Sequence, residues 1–339
     1  MPAIKLRPEA WACALGAYPD RVFAETLVSA IRHGVLLGVD PACAPPASSS
    51  IPPPLPSALE FPETVDKDLE NEVRLGRIID ITDSASVIRP LLSPLGSVPK
   101  KYSTKRRRIH HLSYPRGASL NDAIPVEYGH LVYDAVLATI DRIRSAGQGC
   151  YLYKADLEAA FRHIAIHPSH TRFMGFEWKG RQYLDVFLPF GIRTGPRIYN
   201  YFAEAHHWIL LSRDEVLRLI QHYLDDWLNV TPALRGVEYA RHGRDVFRTI
   251  AAELGFSLSS DKEEAGQAVS AACSPFRGSG SWLCQPFGFG GAVWPSGLRS
   301  LPSLSYQWGG SLPGAFVISC GPLPHSLVVI AAASPGLPN

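Results

Sequence analysis

Apolar residues recur every three or four positions in several stretches of the chain, as they do along the buried face of an α-helix. Residues 20–34 show this spacing between an aspartate that suits a helix cap and a glycine that suits a helix end. Similar signals predict the other helices, at residues 63–78, 131–145, 196–211 and 239–254. Helices are therefore expected from near the amino terminus to about residue 254.

Shorter apolar runs bounded by turn-forming residues predict strands between these helices. One run ends at Asp156, two more are joined by a turn at residues 179–180, and "QHYLDDWLNV" predicts a hairpin with Asp225 and Asp226 at its tip. A further strand precedes a turn at residues 115–117. Because strands and helices alternate irregularly, the sequence predicts an α+β fold with an antiparallel sheet.

Composition divides the chain into four parts. Residues 1–39 form a predicted helical segment, and residues 40–61 are rich in Pro and Ser, as expected of an extended linker. A folded domain is predicted for residues 62–266. Residues 267–339 contain two arginines but no Lys, Asp or Glu, and Gly, Pro and Ser interrupt their apolar stretches.

Charge is balanced before this last segment. Of the 33 Lys and Arg residues, only Arg277 and Arg299 lie beyond residue 266, and all 31 Asp and Glu residues lie before it. Any attraction for nucleic acid must therefore be local. The segment "KKYSTKRRR", residues 100–108, holds six cations in nine residues, which indicates either phosphate binding or a solvated basic face.

Several functional classes are not expected. Six cysteines are scattered without a CxxC pair and no secretory segment is present, so we expect reduced thiols and an intracellular, cytoplasmic or nuclear protein that is not secreted. No apolar run reaches the ~20 residues of a membrane helix, so no membrane partner is expected. His163, His167 and His170 are grouped, but they lack the further ligands typical of a zinc site.

Three aspartates stand where predicted strands end: Asp156, Asp225 and Asp226. Adjacent carboxylates repel and burial of an unpaired one is costly, so the pair needs water, a cationic partner or a metal ion. A polar hairpin tip is one interpretation, because Asp is a common turn residue. If both strand ends meet at one sheet edge, the three carboxylates instead suit Mg²⁺, and two such ions can support in-line nucleotidyl transfer.

The residues around these aspartates resemble the motifs of reverse transcriptases from retroelements. "YLDD" is similar to their YxDD box, "DLEAAF" to their D-x-x-x-A-F box, and "LPFGIRTGP" to their L-P-x-G segment, in the same order and spacing. The resemblance covers roughly residues 98–262 and implies a polymerase palm and fingers, with an antiparallel palm sheet, over residues 62–266. It also implies that Asp156, Asp225 and Asp226 are catalytic and hold two Mg²⁺ ions, for which Mn²⁺ is a possible substitute.

The resemblance further implies a nucleotide pocket. Lys100 and Arg107 match residues that hold the incoming triphosphate, and Phe161 matches an aromatic residue that excludes the 2′-hydroxyl and so favours deoxynucleotides. Phe190 and Gly191 would lie beside the templating pair. For the two phenylalanines, ordinary core packing is the alternative.

The remaining cations of the same region are also assigned by the resemblance. Lys262 falls where many relatives have a lysine near the leaving pyrophosphate. The residues expected to contact nucleic acid are Lys101, Lys105, Arg106 and Arg108. A solvated basic face remains the alternative for these cations.

Two longer stretches, residues 7–40 and 161–183, resemble DIRS-like, tyrosine-recombinase retrotransposons more than Gypsy-like elements. His111 stands where relatives commonly have Asp, and Arg193 and Gly195 alter the segment after "LPFG". These departures remove no expected metal ligand, although they put template contacts in doubt.

The chain is thus expected to be the RNA-directed DNA polymerase domain of a retrotransposon, acting on a primed RNA or DNA template with deoxynucleoside triphosphates. After Lys262 the family continues into a helical thumb, whereas the charge-poor segment predicts a truncated or aberrant thumb, as in decayed coding sequence. A small glycine-rich β appendage is the alternative for this segment. Two other functions stay open: an inactive relic that only binds nucleic acid, and an unrelated α+β domain whose paired aspartates form a turn.

Overall fold

A computed structural model of the chain describes residues 6–39, 43–99, 105–131, 136–272 and 327–331. The chain divides into two compact units. Unit 1 comprises residues 1–131, 157–209 and 251–257, and unit 2 comprises residues 132–156, 210–250 and 258–339. The predicted boundaries at residues 39/40 and 61/62 both fall inside unit 1 and do not coincide with a boundary between the units.

The helices of the described residues are α1 Pro8–Ala14, α2 Arg21–His33, α3 Pro56–Glu60, α4 Pro62–Arg74, α5 Ala85–Ile88, α6 Val136–Ala146, α7 Pro168–Thr171, α8 Gly195–Arg213 and α9 Gly236–Leu254. Helix α2 follows its sequence signals closely, because the Asp20 carboxylate accepts a hydrogen bond from the amide of Phe23 at 2.9 Å and Gly34 follows the last turn. No helix in the described part of the chain is both long enough and apolar enough to cross a membrane.

The predicted helix at residues 63–78 is too long by one turn. Helix α4 ends at Arg74, and Gly76, with a φ of +66°, turns the chain away from the helix axis. Ile78 therefore begins a strand, although its spacing matches the apolar face of the helix. The predicted helices that correspond to α8 and α9 are observed with small shifts at their ends. The predicted helix at 131–145 corresponds to α6, and residues 132–135 of its first turn lie outside the described residues.

The strands are β1 Ile78–Asp80, β2 Leu95–Pro99, β3 Arg106–His110, β4 Tyr151–Asp156, β5 Gly175–Trp178, β6 Arg181–Asp185, β7 Gln221–Tyr223, β8 Asp226–Thr231, β9 Glu264–Gly266, β10 Ala268–Ala272 and β11 Leu327–Ala331. Unit 1 contains a three-stranded sheet in the order β1-β6-β5 and the hairpin β2-β3. Unit 2 contains a four-stranded sheet in the order β7-β8-β4-β9. All pairs within these sheets are antiparallel, so the predicted α+β class is confirmed.

The sheet of unit 2 is held by apolar residues of the helices and strands that pack on it. Ile143 of α6 joins Leu152 of β4 and Val230 of β8 in one buried cluster. Phe247 of α9 is fully buried and its ring lies 5.6 Å from that of Trp227 on β8. Burial of several such side chains, at about 1.5–3 kcal/mol each, fixes the register of strands whose ends carry polar residues.

The amino-terminal helical segment is an integral part of unit 1. Trp11 of α1 is fully buried, donates its indole N–H to the carbonyl of Leu254 at 3.0 Å, and meets the rings of Phe202 and Phe256 edge-on. The described part of the predicted linker also packs on this unit, since the amide of Leu55 donates to the carbonyl of Leu95 at 2.8 Å. Leu55 therefore ties the end of the Pro- and Ser-rich segment to unit 1.

Little of residues 267–339 lies within the described part of the chain. Strands β10 and β11 pair antiparallel, with Ala268 opposite Ala331 and Ala272 opposite Leu327. The expectation that residues beyond about 266 pack poorly falls mostly on residues 273–326 and 332–339, which lie outside the described residues.

Candidate active site

The three aspartates lie at one end of the four-stranded sheet. Asp156 is the last residue of β4 and is paired in antiparallel register with Asp226, the first residue of β8. Asp225 precedes Asp226 directly, in the turn that joins β7 to β8. Two strand ends that are distant in sequence therefore meet at one edge of the sheet.

The turn between β7 and β8 differs from the predicted hairpin tip. It consists of Leu224 and Asp225, whereas Asp226 already belongs to the ladder opposite Tyr223. Leu224 adopts a φ of +53°, a left-handed conformation that costs a non-glycine residue about 1–2 kcal/mol. Such strain is typical of functional sites, where the surrounding structure holds a residue in place.

The electrostatics of this sheet edge are dominated by negative charge. Burial, and to a lesser extent the charges of Asp226 and Asp156, raise the pKa of Asp225 to about 6. Burial also raises the pKa of Asp226, against the attraction of Lys154. A raised carboxyl pKa means that the folded site resists holding all its negative charge without a further cation.

Lys262 supplies part of the missing positive charge. Its Nζ lies 2.8 Å from Oδ2 of Asp156, which is only 5 % exposed. Burial alone would lower the pKa of Lys262, but the hydrogen bond to Asp156 and the charges of all three aspartates outweigh it and raise that pKa. Lys262, whose contact with pyrophosphate stays a prediction, thus lies beside the expected metal ligands.

The donor set fits a hard divalent cation. The site offers carboxylate oxygens from three residues, and oxygen donors suit Mg²⁺ or Mn²⁺ rather than soft metals. Burial and the two neighbouring carboxylates both raise the pKa of Asp225, and a bound cation would favour the charged form against both effects. Asp156, Asp225 and Asp226 are therefore candidate ligands for such an ion.

The predicted basic segment is split by the alternation of strand β3. Lys105 and Arg107 are exposed, whereas Arg106 donates to the hydroxyl and the carbonyl of Ser97 at 2.7 and 2.9 Å. Arg106 also lies over the ring of Phe61 at 3.8 Å. Successive side chains of a strand point to opposite faces, so a run of arginines does not form one basic surface.

Arg108, which was predicted to contact nucleic acid, instead forms an ion pair within the protein. Its side chain is 8 % exposed, and its Nε donates to Oδ2 of Asp68 at 2.7 Å. Arg106 and Arg108 thus hydrogen-bond to other residues of the protein. Among the described cations of the segment, Lys105 and Arg107 are exposed to solvent. Lys100 and Lys101 lie outside the described residues.

Phe161 and Phe190 belong to an aromatic cluster in unit 1. The ring of Phe161 stacks on Tyr199 at 5.0 Å and lies 4.8 Å from the ring of Phe190. Phe161 is 4 % exposed, whereas Phe190 is 49 % exposed and lies 5.9 Å from the guanidinium carbon of Arg107. The contact with sugar expected of Phe161 therefore stays a prediction, beside a clear packing role.

Two glycines close to this cluster have little space for a side chain. Gly191 has a φ of +103°, and a Cβ there would lie 3.0 Å from the carbonyl oxygen of His110. A Cβ at Gly195 would lie 3.0 Å from Ile192 and 3.4 Å from the ring of Phe161. The close approach of Ile192 gives a physical reason for a glycine at position 195, whereas a Cβ there would be in ordinary contact with Phe161.

The three grouped histidines hydrogen-bond to separate partners. Nδ1 of His170 accepts from the amide of Leu37 at 3.0 Å, and His167 bonds to the following serine. Nε2 of His163 accepts from a backbone amide at 3.3 Å. Each ring thus has a structural role of its own.

Sequence reasoning missed a buried ionic network in unit 1. It is centred on Arg162 and Asp185, whose side chains are 7 % and 0 % exposed and lie 2.7 Å apart. Charged residues inside otherwise apolar stretches, as in "AAFRHI" and "YLDVFL", are the signal that could have revealed it.

Comparison with solved structures shows a reverse transcriptase-like fold. A foamy viral protease-reverse transcriptase, dRH, in complex with double-stranded DNA matches with a TM-score of 0.51 and 15% identity, over 79% of this chain and 44% of that one. The native prototype foamy virus protease-reverse transcriptase matches with a TM-score of 0.49 and 19% identity, over 78% of this chain and 34% of that one. The foamy viral protease-reverse transcriptase in complex with an RNA/DNA hybrid matches with a TM-score of 0.49 and 16% identity, over 77% of this chain and 34% of that one. This chain spans less than half the length of each of these three proteins. No protein-family model and no curated protein matches it.

Proposed function

We propose that this chain is the polymerase domain of a retrotransposon reverse transcriptase, most similar to those of DIRS-like elements. It would extend a primer on an RNA or DNA template with deoxynucleoside triphosphates. The observation that supports this most is the register that sets Asp156 opposite Asp226, with Asp225 in the adjoining turn. The reverse transcriptase-like fold and the order of the three motifs support the same function.

Asp156, Asp225 and Asp226 would hold two Mg²⁺ ions, for which Mn²⁺ could substitute. When bound, such ions activate a 3′-hydroxyl and stabilise the attacking and leaving oxygens of an in-line displacement. The protein itself contributes oxygen donors that are already partly desolvated, as the raised pKa of Asp225 indicates. Lys262 holds Asp156 in place through its 2.8 Å contact and adds positive charge where pyrophosphate would leave.

The incoming nucleotide would be held by cations on or near strand β3. Arg107 is exposed on β3 and suits the triphosphate, and the exposed Lys105 precedes that strand. Lys100 and Lys101, which lie outside the described residues, stay candidates from the sequence alone. A guanidinium group is well suited to this task, because it binds phosphate oxygens through two parallel N–H groups. Phe161 would select the sugar, since a bulky ring leaves no room for a 2′-hydroxyl.

Single-nucleotide addition to a primer annealed to an RNA template tests this proposal without requiring processive synthesis. With Mg²⁺ we expect addition by the wild-type chain and a loss of at least about 100-fold for Asp225→Asn, because a metal ligand is removed. Asp245→Asn is the matched control, since Asp245 is exposed on α9 of the same unit and should leave the rate unchanged. Retention of the primer-template should be nearly equal for all three proteins, because no phosphate-binding cation is altered.

An inactive relic that only binds nucleic acid is the second candidate, and the charge-poor composition of residues 267–339 favours it. In that case the wild-type chain would retain the primer-template in a salt-dependent manner but add no nucleotide with either Mg²⁺ or Mn²⁺. Equal addition by wild type and Asp225→Asn would instead contradict the assignment of the metal ligands.

A further inference from the structure

Asp185, the last residue of β6, has a fully buried side chain that is surrounded by basic groups. Its carboxylate oxygens lie 2.7 Å from Nη2 of Arg162, 3.3 Å from Nδ1 of His110 and 3.9 Å from Nη1 of Arg108. Arg162 in turn donates from Nε to Oε2 of Glu72 at 2.8 Å. These groups form one continuous ionic network inside unit 1.

Charges in this network are balanced. Three guanidinium groups face three carboxylates, and the members are Arg77, Arg108 and Arg162 with Asp68, Glu72 and Asp185. Arg162 is further fixed because its Nη1 donates to the carbonyl of Phe187 at 2.9 Å. Loss of one buried charge leaves its partners unpaired in a low-dielectric interior, so each member holds the others in place.

Asp185 contacts basic residues of two segments that carry the proposed nucleotide contacts, namely the turn after Phe161 and strand β3. Arg162 lies in the short helical turn Ala160–His163, directly after Phe161. Arg108 and His110 lie on β3, and their side chains share one face of that strand. Arg107 therefore points to the opposite face, where it is exposed.

The same two segments also meet on their other side. The ring of Phe190 lies 4.8 Å from Phe161 and 5.9 Å from the guanidinium carbon of Arg107. The turn and the strand are thus joined by Asp185 on one side and by Phe190 on the other. Phe190 is half exposed and its contacts are weak, so the buried carboxylate is the firmer of the two connections.

We propose that Asp185 is a positioning residue, which fixes Phe161 relative to Arg107 and thereby sets the preference for deoxynucleotides over ribonucleotides. This inference rests on the proposed polymerase function. A deoxynucleotide and a ribonucleotide differ by one hydroxyl group, so selection requires a ring and a phosphate contact held to within a fraction of an ångström. A misplacement of about 1 Å can change a rate by 10²-fold.

Single-nucleotide addition with matched deoxy- and ribonucleotides measures this effect as a ratio of the two kcat/KM values. Asp185→Asn keeps the shape of the side chain but removes its charge, and we expect the ratio to fall at least about 10-fold. Arg162→Lys keeps the positive charge but loses the forked contacts to Glu72 and Phe187, so a smaller fall is expected. Asp80→Asn is the control, because it removes an ion pair with the exposed Arg181 in the same sheet, while asparagine can still accept the hydrogen bonds from Thr82, and it should leave the ratio unchanged.

Circular dichroism at the assay temperature shows whether each variant is folded, and Arg162→Lys decides the question if Asp185→Asn does not fold. A merely structural role would lower both kcat/KM values together and leave their ratio unchanged. An unchanged ratio in a folded variant, or an equal fall in Asp80→Asn, would overturn the inference while the polymerase function stands. No addition by the wild-type chain would refute the proposed function itself, and the inference with it.

Discussion

Replacing Asp225 by asparagine is expected to stabilise the metal-free protein while it removes activity. The reason is that the aspartate is held among groups that disfavour its charge, namely a buried environment and the carboxylates of Asp226 and Asp156. Asparagine has nearly the same shape and carries no charge. Residues needed for activity commonly lower the stability of the folded protein in this way.

The size of the effect follows from the pKa of Asp225, which folding raises from 3.8 to about 6. A raised carboxyl pKa means that the folded state binds the proton more tightly, so the stability of the aspartate protein decreases as pH rises toward 6 and is lowest above it. The difference of about two pKa units corresponds to about 3 kcal/mol at pH 7.5 and about half of that at pH 5. The asparagine variant should show no such dependence from this site.

Urea denaturation in the presence of a chelator, followed by circular dichroism, measures the difference. Asp225→Asn should unfold at higher urea than wild type at pH 7.5, and the gap should narrow at pH 5. Asp245→Asn, which alters an exposed aspartate of the same unit, should change stability by less than about 0.5 kcal/mol. Added Mg²⁺ should stabilise the wild type more than Asp225→Asn, because an ion that binds the folded state shifts the equilibrium.

Two results would refute this reasoning. If Asp225→Asn were less stable than wild type in the chelator at pH 7.5, the carboxylate would be making favourable contacts and the site would not carry excess negative charge. If the gap were the same at pH 5 and pH 7.5, titration of Asp225 would not be its cause.

Four further outcomes are expected. Phe161→Ala should raise ribonucleotide incorporation relative to deoxynucleotide incorporation, and an unchanged ratio would leave Phe161 with its packing role alone. Arg107→Ala should reduce the slope of log affinity for a primer-template against log salt concentration by about 1. Arg106→Ala should leave that slope unchanged, because the guanidinium of Arg106 is hydrogen-bonded to Ser97. Equal slopes for the two variants would refute the conclusion that Arg106 and Arg107 face different surroundings. Burial alone would raise the pKa of Asp185, but Arg162, His110 and Arg108 lower it below its ordinary value. The stability that this carboxylate contributes is therefore lost as it is protonated, so wild type should lose more stability than Asp185→Asn as pH falls below about 4. Urea denaturation at several pH values measures this difference. Primer extension by this chain should stop after few nucleotides, because residues 267–339 lack the charge of a helical thumb, and long products would contradict that expectation.

Local signals in the sequence were sufficient for much of the fold. Helix α2 begins after Asp20 and ends before Gly34 because the capping side chain and the flexible backbone are encoded at those two positions. The end of β4 at Asp156 was also predictable, because an apolar run stops there. The meeting of Asp156 with Asp226 needed the resemblance to ordered motifs, since 70 residues separate them and no local pattern sets their register.

The remaining features depend on contacts that a local pattern does not contain. Ile78 matches the apolar face of α4, and only the turn at Gly76 assigns it to a strand. The basic segment was interpreted as one surface, although the alternation of a strand separates Arg107 from its neighbours. The pairing of Arg162 with Glu72 spans 90 residues and was therefore invisible to a search for nearby partners.

The central claim is that Asp156, Asp225 and Asp226 form a divalent-cation site, and binding of Mn²⁺ tests it most directly. Electron paramagnetic resonance counts free Mn²⁺ in a titration and does not require that the chain be active. We predict saturable binding by the wild-type chain in the presence of primer-template and a deoxynucleoside triphosphate, beyond the Mn²⁺ bound by these components alone. Asp225→Asn should lose most of this binding and Asp245→Asn none of it. Equal binding by wild type and Asp225→Asn would contradict the account.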